Sequence, residues 1–340
     1  MFKHFFFSEL RYTLKQPMVY IFSLIVTLLV FGATASDNVQ IGGAVGNVYR
    51  NSPNVITTYT LVISIFGLLF AAAFFNNAAL RDYKNDFQEI MFTTPINRFS
   101  YFFGRFFGAL ILSTIPLLGV FIGILYGAQV APIAGWVEAD RFGPFFLETF
   151  VNNYLIFILP NMFFAGAIIF ALSNHFKNTV ISFVGALIII IAYTVSGQLL
   201  SDIDNETIGA LTDTFGIRTY SIVSKYYTPI EKNTLSPSMT GLLLYNRLIW
   251  IGLGLLILSL SYLRFSFQEK NKRIKKVKNK ALAIEKNESL VFPEITSFGT
   301  SNLQQFSSFF KENFLNIFQH VTFKILFFFS LILLLSQVLA

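Results

Sequence analysis

The sequence has no cysteine, only three histidines and little charge. The absence of cysteine excludes disulfides, thiolate metal sites and cysteine nucleophiles. Charged residues make up 13% of the 340 residues, against roughly 25% in typical soluble domains. Hydrophobic residues make up 54%, and 42 residues are phenylalanine. This composition predicts an all-α integral membrane protein, because helices that face lipid need apolar surfaces.

Two common hydrolytic motifs are also missing. No Gly-Lys dipeptide occurs, so there is no P-loop, and His4, His175 and His320 form no HExxH zinc motif. The net charge of +7 follows the edges of the hydrophobic runs, which indicates membrane topology rather than nucleic-acid binding. We expect no enzymatic activity, no cofactor, no metal site and no nucleic-acid partner for this chain.

Seven hydrophobic runs predict a polytopic membrane helix bundle of six spans plus a seventh C-terminal run. The first run, 18–35, is about 27 Å long as a helix, which is enough to cross a bilayer. It follows an amphipathic segment, 1–16, that we interpret as an elbow helix on the membrane surface. The other runs are 56–75, 106–130, 149–172, 180–200, 248–263 and 323–340.

The polar segment 78–105 lies between the second and third runs and carries charges of both signs. Tyr83, Phe87, Ile90 and Met91 recur at helical spacing, which predicts a short amphipathic helix that ends at Thr93-Thr94-Pro95. A cytosolic protein that binds such a helix between two spans can move both spans. We call segment 78–105 the handle for this reason. The alternative is an ordinary interfacial helix without a partner. The residues expected to bind a partner are Asp82, Asp86, Phe87, Glu89, Met91, Pro95 and Arg98.

Small residues and prolines indicate how the spans pack. Gly119, Gly123 and Gly127 share one helical face, which favours close packing within the bundle over a dimerisation face. Pro160-Asn161 lies inside the fourth span and predicts a kink, with a substrate contact as the alternative. The largest external segment, 201–245, is polar, and short helices are compatible with its sequence.

The predicted domains are the elbow 1–16, the six-span unit 17–264, a basic cytosolic linker 265–298, and a second elbow with the seventh span, 299–340. Seven Lys or Arg residues fall between Lys270 and Lys280, which indicates contact with anionic lipid headgroups or a solvated linker. Residues n and n + 303 match weakly around both elbows. We therefore expect a fragment of a longer protein with a second six-span unit, the alternative being a complete seven-span protein.

The positive charges predict the orientation in the membrane. With a cytosolic N-terminus, 19 of the 25 Lys and Arg residues lie on the inner side and six on the outer side. Because cytoplasmic loops carry an excess of Lys and Arg, we expect segment 78–105 and the tail after Arg264 to be cytosolic.

Several short motifs resemble a known family. The elbow, the motif Thr-Thr-Pro-Ile-Asn-Arg at 93–98 and the count of six spans are similar to type-2 ATP-binding-cassette (ABC-2) exporter permeases. The motifs at 141–145, 159–164, 213–216, 231–234 and 246–250 resemble bacterial permeases fused downstream to a zinc-aminopeptidase-like domain. This resemblance implies a multi-pass protein of the bacterial cytoplasmic (inner) membrane, in which 78–105 is the coupling helix that contacts a cytosolic ABC ATPase. The chain ends before any peptidase region, so no enzymatic role is carried over.

The composition of the spans supports the same interpretation. None of the first six runs has an ionisable residue in its central part, whereas ion-coupled transporters usually need such groups or broken helices. A permease driven by a separate ATPase fits this pattern, with membrane lipid and a second permease half or second copy as further partners. Two alternatives remain: a membrane-embedded enzyme acting on lipid or prenyl substrates, and a permease that transmits a signal without transport. The substrate is not readable from the sequence.

Overall fold

The computed structural model describes residues 1–36, 39, 46–199, 206–267 and 302–319. Regular structure in these residues is helical, and no strand occurs among them. The chain divides into two compact units, Met1–Phe267 and Gln268–Ala340. The first unit holds helices α1 to α13, which are Phe2–Leu14, Pro17–Thr34, Pro53–Lys84, Gln88–Thr93, Arg98–Thr114, Gly119–Ile133, Leu147–Asn153, Leu159–Phe176, Thr179–Leu199, Glu206–Thr212, Ile217–Val223, Pro229–Thr234 and Gly241–Arg264.

Five helical segments of the described chain are long and apolar enough to cross a membrane. They confirm a helical membrane bundle as the fold class. Four correspond to the first four predicted spans and one to the sixth. The fifth predicted span lies in α9, whose described apolar part is shorter. The five segments are Pro17–Thr34, Pro53–Lys84, Arg98–Ile133, Leu147–Phe176 and Gly241–Arg264.

The helix bounds differ from the prediction where polar residues are buried or proline interrupts the chain. Helix α3 continues past the predicted end at 75 to Lys84 and is about 48 Å long at ~1.5 Å per residue. Within this extension, Asp82 is paired inside the bundle rather than solvated. The predicted continuous third span is divided into α5 and α6 by a 3-10 turn, Pro116–Leu118, since Pro116 has no N–H to donate.

The core of the bundle is aromatic. Phe75 of α3 lies 5.3 Å from Phe106 of α5 and 6.5 Å from Phe170 of α8, measured between ring centroids. Gly166 admits the Phe75 ring, since a Cβ there would lie 2.0 Å from its Cζ. Helices α3, α5 and α8 therefore form the centre of the unit.

The predicted glycine face packs inside the bundle, as expected. A Cβ at Gly123 would lie 2.7 Å from the Thr27 carbonyl oxygen of α2, and one at Gly127 would lie 2.8 Å from the Thr34 Cβ. Helices α2 and α6 thus approach at backbone distance.

One end of the bundle carries the small helices α10, α11 and α12, which confirms short helices in the predicted external segment. Arg50 links the chain just before α3 to the end of α2 at this end of the bundle. It donates hydrogen bonds to the carbonyl oxygens of Thr34 and Ser36, at 3.0 and 2.5 Å. Tyr220 of α11 donates its hydroxyl to Asn54 Oδ1 at 3.2 Å. Burial raises the pKa of Tyr220 to about 12.

A buried arginine connects this end to the spans. The sequence places Arg247 at the outer edge of the sixth span, but α13 begins at Gly241, and Arg247 is fully buried. Its guanidinium donates to Asn161 Oδ1 of α8 at 2.7 Å and to Asn246 Oδ1 at 2.9 Å. Asn161 in turn donates to the Phe215 carbonyl at 3.1 Å. Three of the quoted sequence motifs therefore meet at one buried network.

The helix changes type next to the predicted kink at Pro160-Asn161. A π-helical turn, Tyr154–Ile158, precedes Pro160, so the helix widens there. Asn161 does not bond to a carbonyl of its own helix; it binds Arg247 and Phe215 instead.

The described part of the second unit is one helix, α14, Asn302–Gln319. The rings of Phe306, Phe310 and Phe314 stack along one side at 6.2 and 5.8 Å, and these side chains are exposed. A helix therefore occupies part of the region predicted as the second elbow. The basic run 270–280 and the seventh run, 323–340, lie outside the described residues.

Candidate coupling surface

The predicted handle is a turn between two long helices rather than one amphipathic helix. Residues 78–84 belong to the last part of α3, and the backbone then reverses at Asp86, which has a positive φ of 52°. The six-residue α4 follows. The Thr94 hydroxyl donates to the Met91 carbonyl oxygen at 2.6 Å, and Pro95 comes next, so α4 ends where the sequence predicts. Asn97 then caps α5 by accepting from the Phe99 N–H at 2.9 Å.

The turn presents apolar side chains outward. Phe87 is 44% exposed and Ile90 64% exposed. The carboxylates of Asp86 and Glu89 flank them and are also exposed. We define the coupling surface as residues 85–97 together with the start of α1.

An apolar cavity of about 340 Å³ lies between α4 and α1. Phe87, Ile90 and Met91 form one wall, and His4 and Phe5 form the other. The elbow helix therefore contributes to the same surface as the turn. No feature of segment 78–105 alone indicates this contribution, because it depends on α1 packing against α5.

Helix α1 packs on α5 through two glycines. A Cβ at Gly104 would lie 2.7 Å from the Phe5 Cβ, and one at Gly108 would lie 2.7 Å from the Glu9 Cβ. Both contacts depend on the absence of a side chain at these two glycines, since α1 lies directly on the α5 backbone.

A buried ion network joins α1 to both helices that flank α4. Glu9 of α1 is 1% exposed and accepts two hydrogen bonds from Arg81 of α3, at 3.1 and 2.8 Å. Arg105 of α5 lies 3.5 Å from Glu9 and donates to Asp82 at 2.5 Å. The Tyr101 hydroxyl also donates to Asp82, at 2.7 Å. Two carboxylates and two guanidinium groups balance, as buried charges require.

The residues expected to bind a partner thus fall into two groups, those exposed on the turn and those held inside the bundle. Asp86, Phe87, Glu89 and Pro95 are exposed on the turn. Met91 is half-buried and lines the cavity. Asp82 and Arg98 are held by the bundle: Asp82 belongs to the ion network, and Arg98 donates to the Tyr262 carbonyl oxygen and lies 4.5 Å from the centre of the Tyr262 ring.

Sequence reasoning missed Glu9, Arg81, Tyr101 and Arg105 as a group. One signal was present for Glu9, because it lies four residues after Phe5 and so on the apolar face of α1. A carboxylate on such a face needs a buried partner. The identity of that partner was not readable, since Arg81 and Arg105 are far away along the chain.

The described residues contain no cluster of His, Cys, Asp and Glu that is suited to hold a metal ion. No family model, curated protein or solved structure matches the chain. Its function is therefore inferred from its own geometry.

Proposed function

We propose that the chain is the membrane permease of an ABC-type export system, driven by a separate cytosolic ATPase that docks on the coupling surface. The observation that supports this most is the exposure of Phe87 and Ile90 beside an apolar cavity. Exposed apolar patches rimmed by polar residues are typical of binding sites. An apolar side chain of the ATPase fills the cavity in this proposal.

The charge of the turn favours a protein partner over the membrane surface. Residues 85–97 contain two carboxylates, Asp86 and Glu89, and no Lys or Arg. The cytoplasmic leaflet is negatively charged and attracts basic segments instead. Within residues 85–97 this charge favours a protein contact over the leaflet, although the exposed Lys3 and Lys84 border the turn.

The ion network supplies the mechanical link. Force on α4 reaches α3 and α5 directly, because they continue from its two ends. The Asp82–Arg105 pair ties these two helices together, and Glu9 ties both to α1. We infer that the four helices move as one body when the ATPase changes conformation, and that the spans beyond them rearrange.

The orientation follows the charge bias. In this proposal the end with α4, the turn after α8 and the end of α13 faces the cytosol, and α10, α11 and α12 face outward. Export in a bacterial cytoplasmic membrane is part of the same proposal.

A cross-linking experiment tests the docking. The chain has no cysteine, so Glu89→Cys gives a single attachment point for a thiol-directed photocrosslinker. Glu148→Cys, exposed at the opposite end of the bundle, is the control. In source-cell membranes we expect Glu89→Cys, and not Glu148→Cys, to capture a P-loop ATPase, identified by mass spectrometry. Capture of no P-loop ATPase at position 89 would contradict the proposal.

A further inference from the structure

A second cavity, of about 200 Å³, lies at the end of the bundle opposite α4. Ile56 of α3 and Ile124 and Ala128 of α6 form one side. The extended segment 142–146 and Phe150 of α7 form the other side. Of its lining residues, only Asn51 and Gln129 have polar side chains.

The two polar side chains differ in their partners. Asn51 exchanges two hydrogen bonds with the backbone of Gly143, at 2.8 and 2.7 Å, and so holds the extended segment in place as a wall. Gln129 is exposed, and its amide has no hydrogen-bond partner in the described part of the chain. It therefore retains two N–H donors at the mouth of an apolar cavity.

Gln129 lies near the end of α6. It precedes the end of α6 at Ile133 by four residues, or about 6 Å. Ile122, Tyr126 and Ile133 share its exposed stripe, and the exposed Trp136 lies just beyond. Trp is enriched where hydrocarbon meets headgroups. In a bilayer, lipid ester carbonyls occupy this interface, and they accept hydrogen bonds.

We propose that this cavity binds one acyl chain of a bilayer glycerolipid, whose ester carbonyl accepts a hydrogen bond from the Gln129 amide. At about 200 Å³, the cavity has room for a short stretch of one acyl chain. Lipid tails are as apolar as the aliphatic and aromatic side chains that line the cavity. The shape of the aromatic wall and the Gln129 hydrogen bond therefore select the lipid.

Photolabelling of the full chain in phosphatidylcholine nanodiscs tests the site. The probe is a phosphatidylcholine with a diazirine on one acyl chain, and labelled peptides are identified by mass spectrometry. We expect more labelling of residues 124–129 and 142–150 than of Leu24 and Leu28. These two exposed residues of α2 are the controls. Ala128→Trp fills the cavity and should reduce this labelling about fivefold or more, whereas Ile122→Trp, outside the cavity, should not.

The hydrogen bond is tested with an unlabelled competitor. In the wild type, ester-linked phosphatidylcholine should compete about fivefold better than the ether-linked analogue, the value of one hydrogen bond. In Gln129→Leu, an exposed position where packing is undisturbed, the two should compete equally. Three results would overturn the proposal. They are equal labelling of α2 and the cavity, equal competition by the two lipids in the wild type, and loss of labelling when two copies share one disc. The last result would mean that a second copy covers the cavity.

Discussion

At the scale of single residues, the aromatic and aliphatic side chains of the turn divide into two groups. Phe92 packs inward, 4.7 Å from Phe267 and 5.7 Å from Tyr101 between ring centroids. Phe87 and Ile90 line the cavity beside α1 and are 44% and 64% exposed. The first group stabilises the turn, and the second is free to bind.

Phe87→Ala and Ile90→Ala therefore separate binding from folding. We expect Ile90→Ala to change the free energy of unfolding by less than about 0.5 kcal/mol and Phe87→Ala, whose ring is partly buried, by about 1 kcal/mol. Each should weaken binding of the proposed ATPase about tenfold, as loss of an apolar anchor does. Phe92→Ala, as the comparison, should destabilise the chain by about 2 kcal/mol. Thermal unfolding in detergent and a binding titration measure the two effects. Unchanged ATPase affinity in Phe87→Ala would mean that α4 is only an interfacial helix.

At the other end of the bundle, the buried Arg247 is the residue whose role can be tested. Arg247→Met keeps most of the volume but leaves the side-chain oxygens of Asn161 and Asn246 without their donor. Buried unsatisfied acceptors cost about 1–3 kcal/mol each, so we expect a loss of about 2–4 kcal/mol in unfolding free energy. Arg264→Met, exposed at the end of the same helix, is the matched control and should be neutral. A shift in melting temperature for both variants, or for neither, would contradict this role.

At the scale of elements, the contact between α2 and α6 depends on glycine. The atoms closest to a Cβ at Gly123 are the backbone Thr27 O at 2.7 Å and Phe31 N at 2.9 Å, which cannot move aside as a side-chain tip can. Gly123→Ala should therefore force the helices apart and destabilise the chain by about 1–3 kcal/mol. Gly252→Ala in α13 meets no atom within 4 Å and should be neutral or slightly stabilising. Equal melting temperatures for the two variants would refute the packing argument.

The elbow helix is held by charge as well as by packing. Glu9→Gln removes one of two carboxylates that face two arginines, leaving an uncompensated buried positive charge. We expect faster amide hydrogen exchange over α1 but not over α13, measured by mass spectrometry. Arg11→Gln, exposed on α1, is the control. The double variant Glu9→Gln/Arg81→Gln restores the balance and should recover part of the protection; no recovery would argue against an electrostatic role.

At the scale of the whole molecule, contacts place two groups of loops at opposite ends. Arg98 contacts Tyr262, and Lys177 lies 4.4 Å from the Tyr83 ring, so α4, the turn after α8 and the end of α13 share one end. At the other end, Asn233 accepts from the Tyr49 N–H at 2.9 Å. Charge bias predicts that the first end is cytosolic.

Single cysteines test this topology. Asn85→Cys and Ser238→Cys are exposed at the two ends, and the chain has no other thiol. In intact cells, a membrane-impermeant maleimide should modify position 238 and reach position 85 only after the membrane is opened. Modification of both positions in intact cells would show that the proposed orientation and span map are wrong.

The sequence by itself determined the membrane class, the all-helical fold and the approximate position of the five spanning segments. These follow from local composition, because crossing a bilayer depends on the hydropathy of about 20 consecutive residues. It also located the end of α4 at Thr94-Pro95 and the glycine face of α6, since proline and glycine act within one or two turns of their own position.

Only the tertiary structure decided which polar residues are buried. Asp82 and Asp86 are equivalent in a helical pattern, yet the first is paired inside the bundle and the second is exposed. Arg247 resembles an interfacial arginine until Asn161 and Asn246 are seen around it. The physical reason is that the fate of a charge depends on the partner brought to it by folding, and for Glu9 that partner lies 72 residues away along the chain.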